Sequence, residues 1–307
     1  MRAADVGRLV GRTPLVRLAE ASQASGALVL GKLEGRNPSG SLKDRAVLAM
    51  LEAARGEGAL VDAGPVVLAS AGNSGLSLAV LAPLFGHPAV VVAPASAPLE
   101  WRRLCAGLGA ELVLTPPAEG MGGAVRRAQA EARTRQGAWL AAPFGDRAAP
   151  AGYEAMADEI WQDLDGRVDR VVVGVGTGAT ALGLARAFAR RPRSVVLVGV
   201  EPAEARNLSG RGGGGVHHIA GIGAGFAPPH WQASGVAESE AVASADAMAE
   251  CRRLAAEEGL LVGPSSGAAV LAARRAARAG EVVVAVLADG GERYLAQLGF
   301  LAEDGAG

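Results

Sequence analysis

Two rhythms of apolar residues alternate along the chain. Short, mostly apolar runs recur at residues 28–34, 66–69, 89–93, 111–115, 139–142, 170–174, 194–200 and 282–287. Val282-Val283-Val284-Ala285-Val286-Leu287 is the clearest of them. Runs this short, bounded by Gly, Pro, Ser or Asp, predict strands buried on both faces. Between them, apolar and polar positions repeat with helical spacing at residues 42–55, 74–85, 98–108, 118–135, 153–164, 179–190, 245–258 and 266–278. The alternation of strand and helix predicts an α/β protein with mostly parallel sheets. In such folds ligands bind outside the carboxyl ends of the strands. Residues 207–229 break the pattern: they are glycine-rich and aperiodic, and a loop of that length in a compact domain commonly carries function.

A chain of 307 residues can bury a large core and usually divides into two lobes. Half of it is hydrophobic and only 4% aromatic, so Ala, Val, Leu and Gly do the packing. The net charge of −1 gives no reason to expect nucleic acid or an anionic membrane as partner. Cys105 and Cys251 are isolated and read as free thiols of a reducing compartment. The four histidines lack zinc-ligand spacing, so no metal site is expected. No apolar run is long enough to span a bilayer, and the early Arg2, Asp5, Arg8 and Arg12 leave no signal-peptide stretch. The expectation is a soluble cytoplasmic protein.

The charged residues change the picture in one respect. Of 30 basic residues 28 are arginine, and the two lysines are Lys32 and Lys43. Arginine stays protonated and cannot form an imine or act as a base, whereas a desolvated lysine amine can do both. Lys43 lies in Pro38-Ser39-Gly40-Ser41-Leu42-Lys43-Asp44-Arg45, a turn that opens a helical pattern.

Four further Gly/Ser-rich turns border predicted elements, three of them directly after strands. Ser70-Ala71-Gly72-Asn73-Ser74-Gly75 offers backbone N–H groups and an amide side chain to an anion. Gly174-Val175-Gly176-Thr177-Gly178-Ala179-Thr180 fits a phosphate cradle with added hydroxyls. That run also matches the loose dinucleotide pattern G-x-G-x-x-A, with Glu201 at the distance of a ribose-binding acid, which keeps a nicotinamide oxidoreductase open. Gly263-Pro264-Ser265-Ser266-Gly267 and Asp289-Gly290-Gly291-Glu292-Arg293-Tyr294 complete the set. Taken singly, each turn is equally an ordinary helix cap or surface turn.

Together, and in this order from Gly11-Arg12-Thr13-Pro14-Leu15 to Glu292-Arg293-Tyr294-Leu295, these segments resemble the fold-type II pyridoxal-phosphate enzymes, and within them the cysteine synthase (O-acetylserine sulfhydrylase) group. The resemblance implies two lobes, residues 1–145 and 146–307, with residues 12–34 crossing to the other lobe. It implies pyridoxal 5'-phosphate as cofactor and Lys43 as the Schiff-base lysine and general base. Asn73 would meet the cofactor's ring oxygen, and Gly176, Thr177, Gly178, Ala179 and Thr180 its phosphate. Ser265 would contact the pyridine nitrogen. Ser70, Ala71, Gly72, Asn73, Ser74, Phe144, Gly221 and Ile222 would bind substrate.

The reaction implied is β-replacement on O-acetyl-L-serine by sulfide, through an aminoacrylate, giving L-cysteine. The partners implied are an amino-acid substrate, a nucleophile, a second copy in a homodimer, and a serine acetyltransferase. The loop Gly221-Ile222-Gly223-Ala224-Gly225-Phe226 carries no arginine after Arg211, which favours a neutral ester over a phosphoserine dianion. Pro143, Pro98, Ala179 and Gly152 depart from the family pattern. They keep open a non-sulfide nucleophile or a serine/threonine dehydratase.

Overall fold

The computed structural model describes residues 5–208, 214–297 and 299–300. Residues 209–213 of the glycine-rich stretch, Arg211 among them, lie outside the described residues. The described residues divide into two compact units. One holds residues up to Val10 and Asn37–Gly152; the other holds Gly11–Arg36 and residues from Tyr153 onward.

The first unit is built on a sheet of four parallel strands. In chain order these are β3 (Val66–Ala69), β4 (Ala89–Pro94), β5 (Glu111–Thr115) and β6 (Trp139–Ala141), arranged β5-β4-β3-β6. Their helices are α2 (Lys43–Gly56), α3 (Asn73–Leu81), α4 (Leu99–Gly107) and α5 (Gly120–Thr134). All six residues of β4 are buried, as a central parallel strand covered on both faces requires. Val67, Val90 and Val92 pack against Ala124 and Ala128 of α5, where small side chains let the helix approach the sheet.

The second unit carries a six-stranded sheet, ordered β1-β2-β10-β7-β8-β9. The strands are β1 (Leu15–Arg17), β2 (Leu28–Leu33), β7 (Arg170–Gly174), β8 (Val196–Pro202), β9 (Glu238–Val242) and β10 (Val282–Leu287). Every pair is parallel except β1 with β2. The helices are α1 (Ala19–Ser25), α6 (Ala151–Asp163, from its third residue), α7 (Ala179–Phe188), α8 (Pro229–Ser234), α9 (Ser244–Glu258) and α10 (Pro264–Ala276). The main core gathers Val172, Val198 and Val283 from the sheet with Ala268, Ala269, Ala272 and Ala273 of α10.

Four elements are absent from the apolar pattern read above: β1, α1, α8 and β9. Two boundaries move in ways that matter for the site. Helix α3 starts at Asn73 and α10 starts at Pro264, whose fixed φ and missing N–H suit the first helical position. Asn73 and Ser265 therefore stand in first helical turns. Among the described residues no helix is long and apolar enough to cross a membrane, and no cluster of His, Cys, Asp and Glu could hold a metal.

Candidate functional site

In the first unit the candidate residues converge at the carboxyl end of β3 and the start of α2. Lys43 is the first residue of α2, half-buried, and its N–H donates to Ser41 Oγ at 3.3 Å. The turn before it is fastened by Asp44, a fully buried carboxylate. Ser39 N donates to Asp44 Oδ2 at 2.7 Å, and Ser39 Oγ bonds Asp44 Oδ1. Ser39 Oγ also lies 3.1 Å from Ser77 Oγ, in the middle of α3. One buried acid thus ties the Lys43 turn to the helix that begins with Asn73. An acidic residue in a first helical turn is also favoured by the helix dipole.

The Ser70–Gly75 turn leaves β3 and enters α3. Ala71, Gly72, Asn73 and Ser74 are half-buried. The Ser70 hydroxyl bonds the backbone of the turn itself. Ser70 Oγ accepts from Gly72 N at 3.2 Å and Gly75 N at 3.1 Å, and donates to Gly72 O at 3.3 Å. Trp101 of α4 also reaches this turn, donating from Nε1 to Gly72 O at 2.9 Å. The sequence carried one signal for it: Trp101 and Cys105 share a face at helical spacing, and both are buried while Leu99 and Leu104 are exposed.

Phe144 is 43% exposed, in a turn closed by Gly145 N and Asp146 N donating to Ala142 O at 2.9 Å each. Gly152 answers a question left by the sequence. A Cβ there would come 2.1 Å from Arg45 O, so position 152 packs against the backbone two residues beyond Lys43 and has no room for a histidine.

In the second unit the cradle spans the β7–α7 junction. Gly178 caps α7 at φ 79°, the left-handed region that glycine enters without cost. Thr177 Oγ1 accepts from Ala179 N at 3.3 Å, and Ala179 and Thr180 are buried. The demand for glycine at 176 and 178 comes first from the protein's own backbone. A Cβ on Gly176 would lie 2.3 Å from Gly221 O, and one on Gly178 would lie 2.4 Å from Trp231 N.

Gly221 and Ile222 therefore stand directly against the cradle, with Ile222 Cγ2 2.7 Å from a Cβ placed at Gly174. Gly223 N donates to Val175 O at 3.1 Å, and His217 Nε2 donates to Gly223 O at 3.0 Å. That carbonyl only accepts, so Nε2 carries the proton. Ser265 keeps 5% exposure at the start of α10, while Ser266 is wholly enclosed and its hydroxyl has no hydrogen-bond partner.

Comparison with known proteins agrees with this geometry. The family model for pyridoxal-phosphate dependent enzymes matches residues 6–289. The cysteine synthase of Haemophilus influenzae is 40% identical over 304 residues, covering 95% of this chain and 96% of its own. Among solved structures, the cysteine synthase of Entamoeba histolytica superposes with a TM-score of 0.93 at 32% identity, covering 97% of this chain and 90% of its own. O-ureido-L-serine synthase superposes with a TM-score of 0.91 at 33% identity, covering 100% of this chain and 97% of its own.

The residues present fit the coenzyme. The start of α7 is a set of donors, backbone N–H groups beside the hydroxyls of Thr177 and Thr180, as a phosphate ester needs. Ser265 is neutral and keeps exposed surface where Ser266 does not, and Lys43 supplies an amine. The chain belongs to the pyridoxal-phosphate-dependent enzymes of fold type II, in the cysteine synthase group.

Proposed function

We propose that this enzyme replaces the β-substituent of an O-activated L-serine, converting O-acetyl-L-serine and sulfide to L-cysteine and acetate. The observation that carries the reading is the fate of the two lysines. Lys32 is sealed in an ion pair, whereas Lys43 opens α2 beside the Ser70–Gly75 turn in the same unit.

The coenzyme, when bound, supplies an aldehyde carbon for covalent attachment and a ring that takes up electrons released at Cα. Lys43 Nζ holds it at rest. Once released, the same amine takes the Cα proton and later returns one, so a single group serves as base and acid. Asn73 donates its side-chain amide to the ring oxygen. The backbone N–H groups of Asn73 and Ser74 hold the substrate carboxylate at the positive end of α3, with Gly72 shaping the approach to it. Ser70 keeps that turn in shape, and Ala71 leaves space beside it.

Gly176, Thr177, Gly178, Ala179 and Thr180 orient the phosphate. Ser265 meets the ring nitrogen without a negative charge, which limits electron withdrawal and lets loss of the β-substituent compete. Phe144, Gly221 and Ile222 border the substrate. Residues 214–229 contain no arginine, which suits an acetyl ester better than a phosphate dianion.

A second reading replaces sulfide with another nucleophile. It is favoured by Pro143, which offers no amide where the family usually has a glutamine, and by the likeness to O-ureido-L-serine synthase. In either reading the chain works as a cytoplasmic homodimer, with a serine acetyltransferase as candidate partner. The test supplies the yellow enzyme with O-acetyl-L-serine and a panel of sulfide, thiols, amines and hydroxyl nucleophiles, and identifies products by mass. Cysteine from sulfide is expected, with loss of both the visible absorbance and turnover in Lys43→Ala. An unchanged visible spectrum in that variant would refute the assignment.

A further inference from the structure

The turn that takes the substrate carboxylate is held from behind by an indole. Trp101 is 7% exposed although it lies on a helix whose Leu99 and Leu104 are exposed. Its ring presses on Gly75, where a Cβ would come 2.9 Å from Cζ2, so the residue closing the turn must be glycine for the indole to fit. Its Nε1 donates to Gly72 O at 2.9 Å. The same carbonyl receives Gly75 N at 3.0 Å and Ser70 Oγ at 3.3 Å, so three donors fix its direction.

That direction has a consequence one atom further along the chain. The Gly72–Asn73 peptide bond is trans, and in a planar trans peptide C=O and N–H point opposite ways. Drawing Gly72 O toward the indole turns the N–H of Asn73, which shares its peptide plane, away from Trp101. As the first residue of α3, Asn73 places its N–H at the helix's positive end.

We infer that Trp101 is a positioning residue. It holds the Gly72–Asn73 peptide in the orientation that aims Asn73 N–H at the substrate carboxylate, and so sets the preference for free amino acids over their carboxamides. This rests on the carboxylate-binding role given to the turn under Proposed function. The indole N–H donates to Gly72 O and acts through that peptide.

The test titrates the holoenzyme with L-serine and with L-serinamide and follows the visible absorbance change to obtain two dissociation constants. Wild type should bind L-serine more tightly, because a carboxylate gains more than a neutral carbonyl from a well-aimed donor. Trp101→Phe keeps the ring and removes the N–H. It should weaken L-serine about three- to tenfold, the worth of one net hydrogen bond, and L-serinamide less than about twofold.

The spectrum of the unliganded holoenzyme should not change, since Lys43 is untouched. Gly75→Ala, which displaces the indole by a helix-favourable substitution, should lower the same ratio and covers the case in which Trp101→Phe folds poorly. Equal weakening of both ligands, or an unchanged ratio in both variants, overturns the inference while leaving the proposed function standing. A wild-type spectrum that ignores L-serine overturns the proposed function, and the inference with it.

Discussion

Lys32→Met should destabilise the second unit by about 3 kcal/mol, at the low end of the range for stranding one member of a buried ion pair. Lys32 is a fully enclosed cation, with no exposed surface. Its Nζ donates to Thr13 O at 2.6 Å, pairs with Glu159 Oε2 at 2.8 Å and lies 3.7 Å from Asp163 Oδ2. Glu159 Oε1 accepts from Arg12 N at 2.8 Å, and Thr13 Oγ1 donates to the buried Glu34 at 2.6 Å.

Methionine matches the length of lysine but leaves Glu159 and the Thr13 carbonyl without their donor. Removing one member of a buried pair costs about 3–5 kcal/mol, and an unsatisfied carbonyl about 1–3. Water moderates the loss, because the Glu159 side chain is 16% exposed and that of Asp163 51%. Adding Glu159→Gln removes the stranded charge, so the double variant should be more stable than the sum of the single changes by about 1–2 kcal/mol. Urea unfolding followed by tryptophan fluorescence and circular dichroism measures both effects. A Lys32→Met midpoint within about 0.5 kcal/mol of wild type, the scatter of ordinary surface substitutions, would refute the view that this lysine survived because it is a buried cation.

Two further outcomes follow from packing and burial. Gly152→Ala places a methyl group 2.1 Å from Arg45 O, so helix α2 must shift; a loss of about 1–3 kcal/mol by thermal melting is expected, with a change in the holoenzyme's visible spectrum because Lys43 lies in the same turn. Burial pushes the Cys105 and Cys251 thiols up to about 12, so both should react with a thiol-directed dye only as fast as the protein opens. The same shift has a signed effect on stability. Above pH 9 the thiols of the unfolded chain ionise first, the native state then holds more protons, and stability falls as pH rises from 9 toward 12.

Much of this architecture was legible because buried parallel strands advertise themselves. β4 and β10 are unbroken apolar runs, the pattern that a strand covered on both faces requires. The missed strands are those whose stability lies elsewhere. β1 has three residues, and β9 reads Glu-Ser-Glu-Ala-Val; both are edge strands held by ladders to a neighbour, with no local pattern to see. Chain order also conceals that β2 lies beside β10, since that pairing joins residues 28–33 to residues 282–287.

At the site, the sequence singles out Lys43, Asn73 and the Gly176–Gly178 turn because covalent and phosphate chemistry would restrict residue type severely. The hydrogen bonds that Ser70 and Trp101 make with the turn's backbone are not legible there, because such bonds impose no spacing on the sequence. The glycines taught a related lesson. Their presence suggested close approach by a ligand, whereas Gly176 and Gly178 are already required by Gly221 O and Trp231 N.

The strand order of the larger sheet bears on how the chain is made. β10 is its last strand in sequence, yet it sits third in the row, flanked by β2 and β7. A nascent polypeptide on the ribosome can complete the four-stranded sheet, whose strands end at Ala141, well before β10 is synthesised. Until Val282–Leu287 emerges, β1 and β2 have no seam joining them to β7, β8 and β9. The early segment must wait with its edge open through most of translation, exposed to chaperones and to other unfinished chains. A stop codon between β9 and β10 would release β1–β2 and β7–β8–β9 without the strand that joins them.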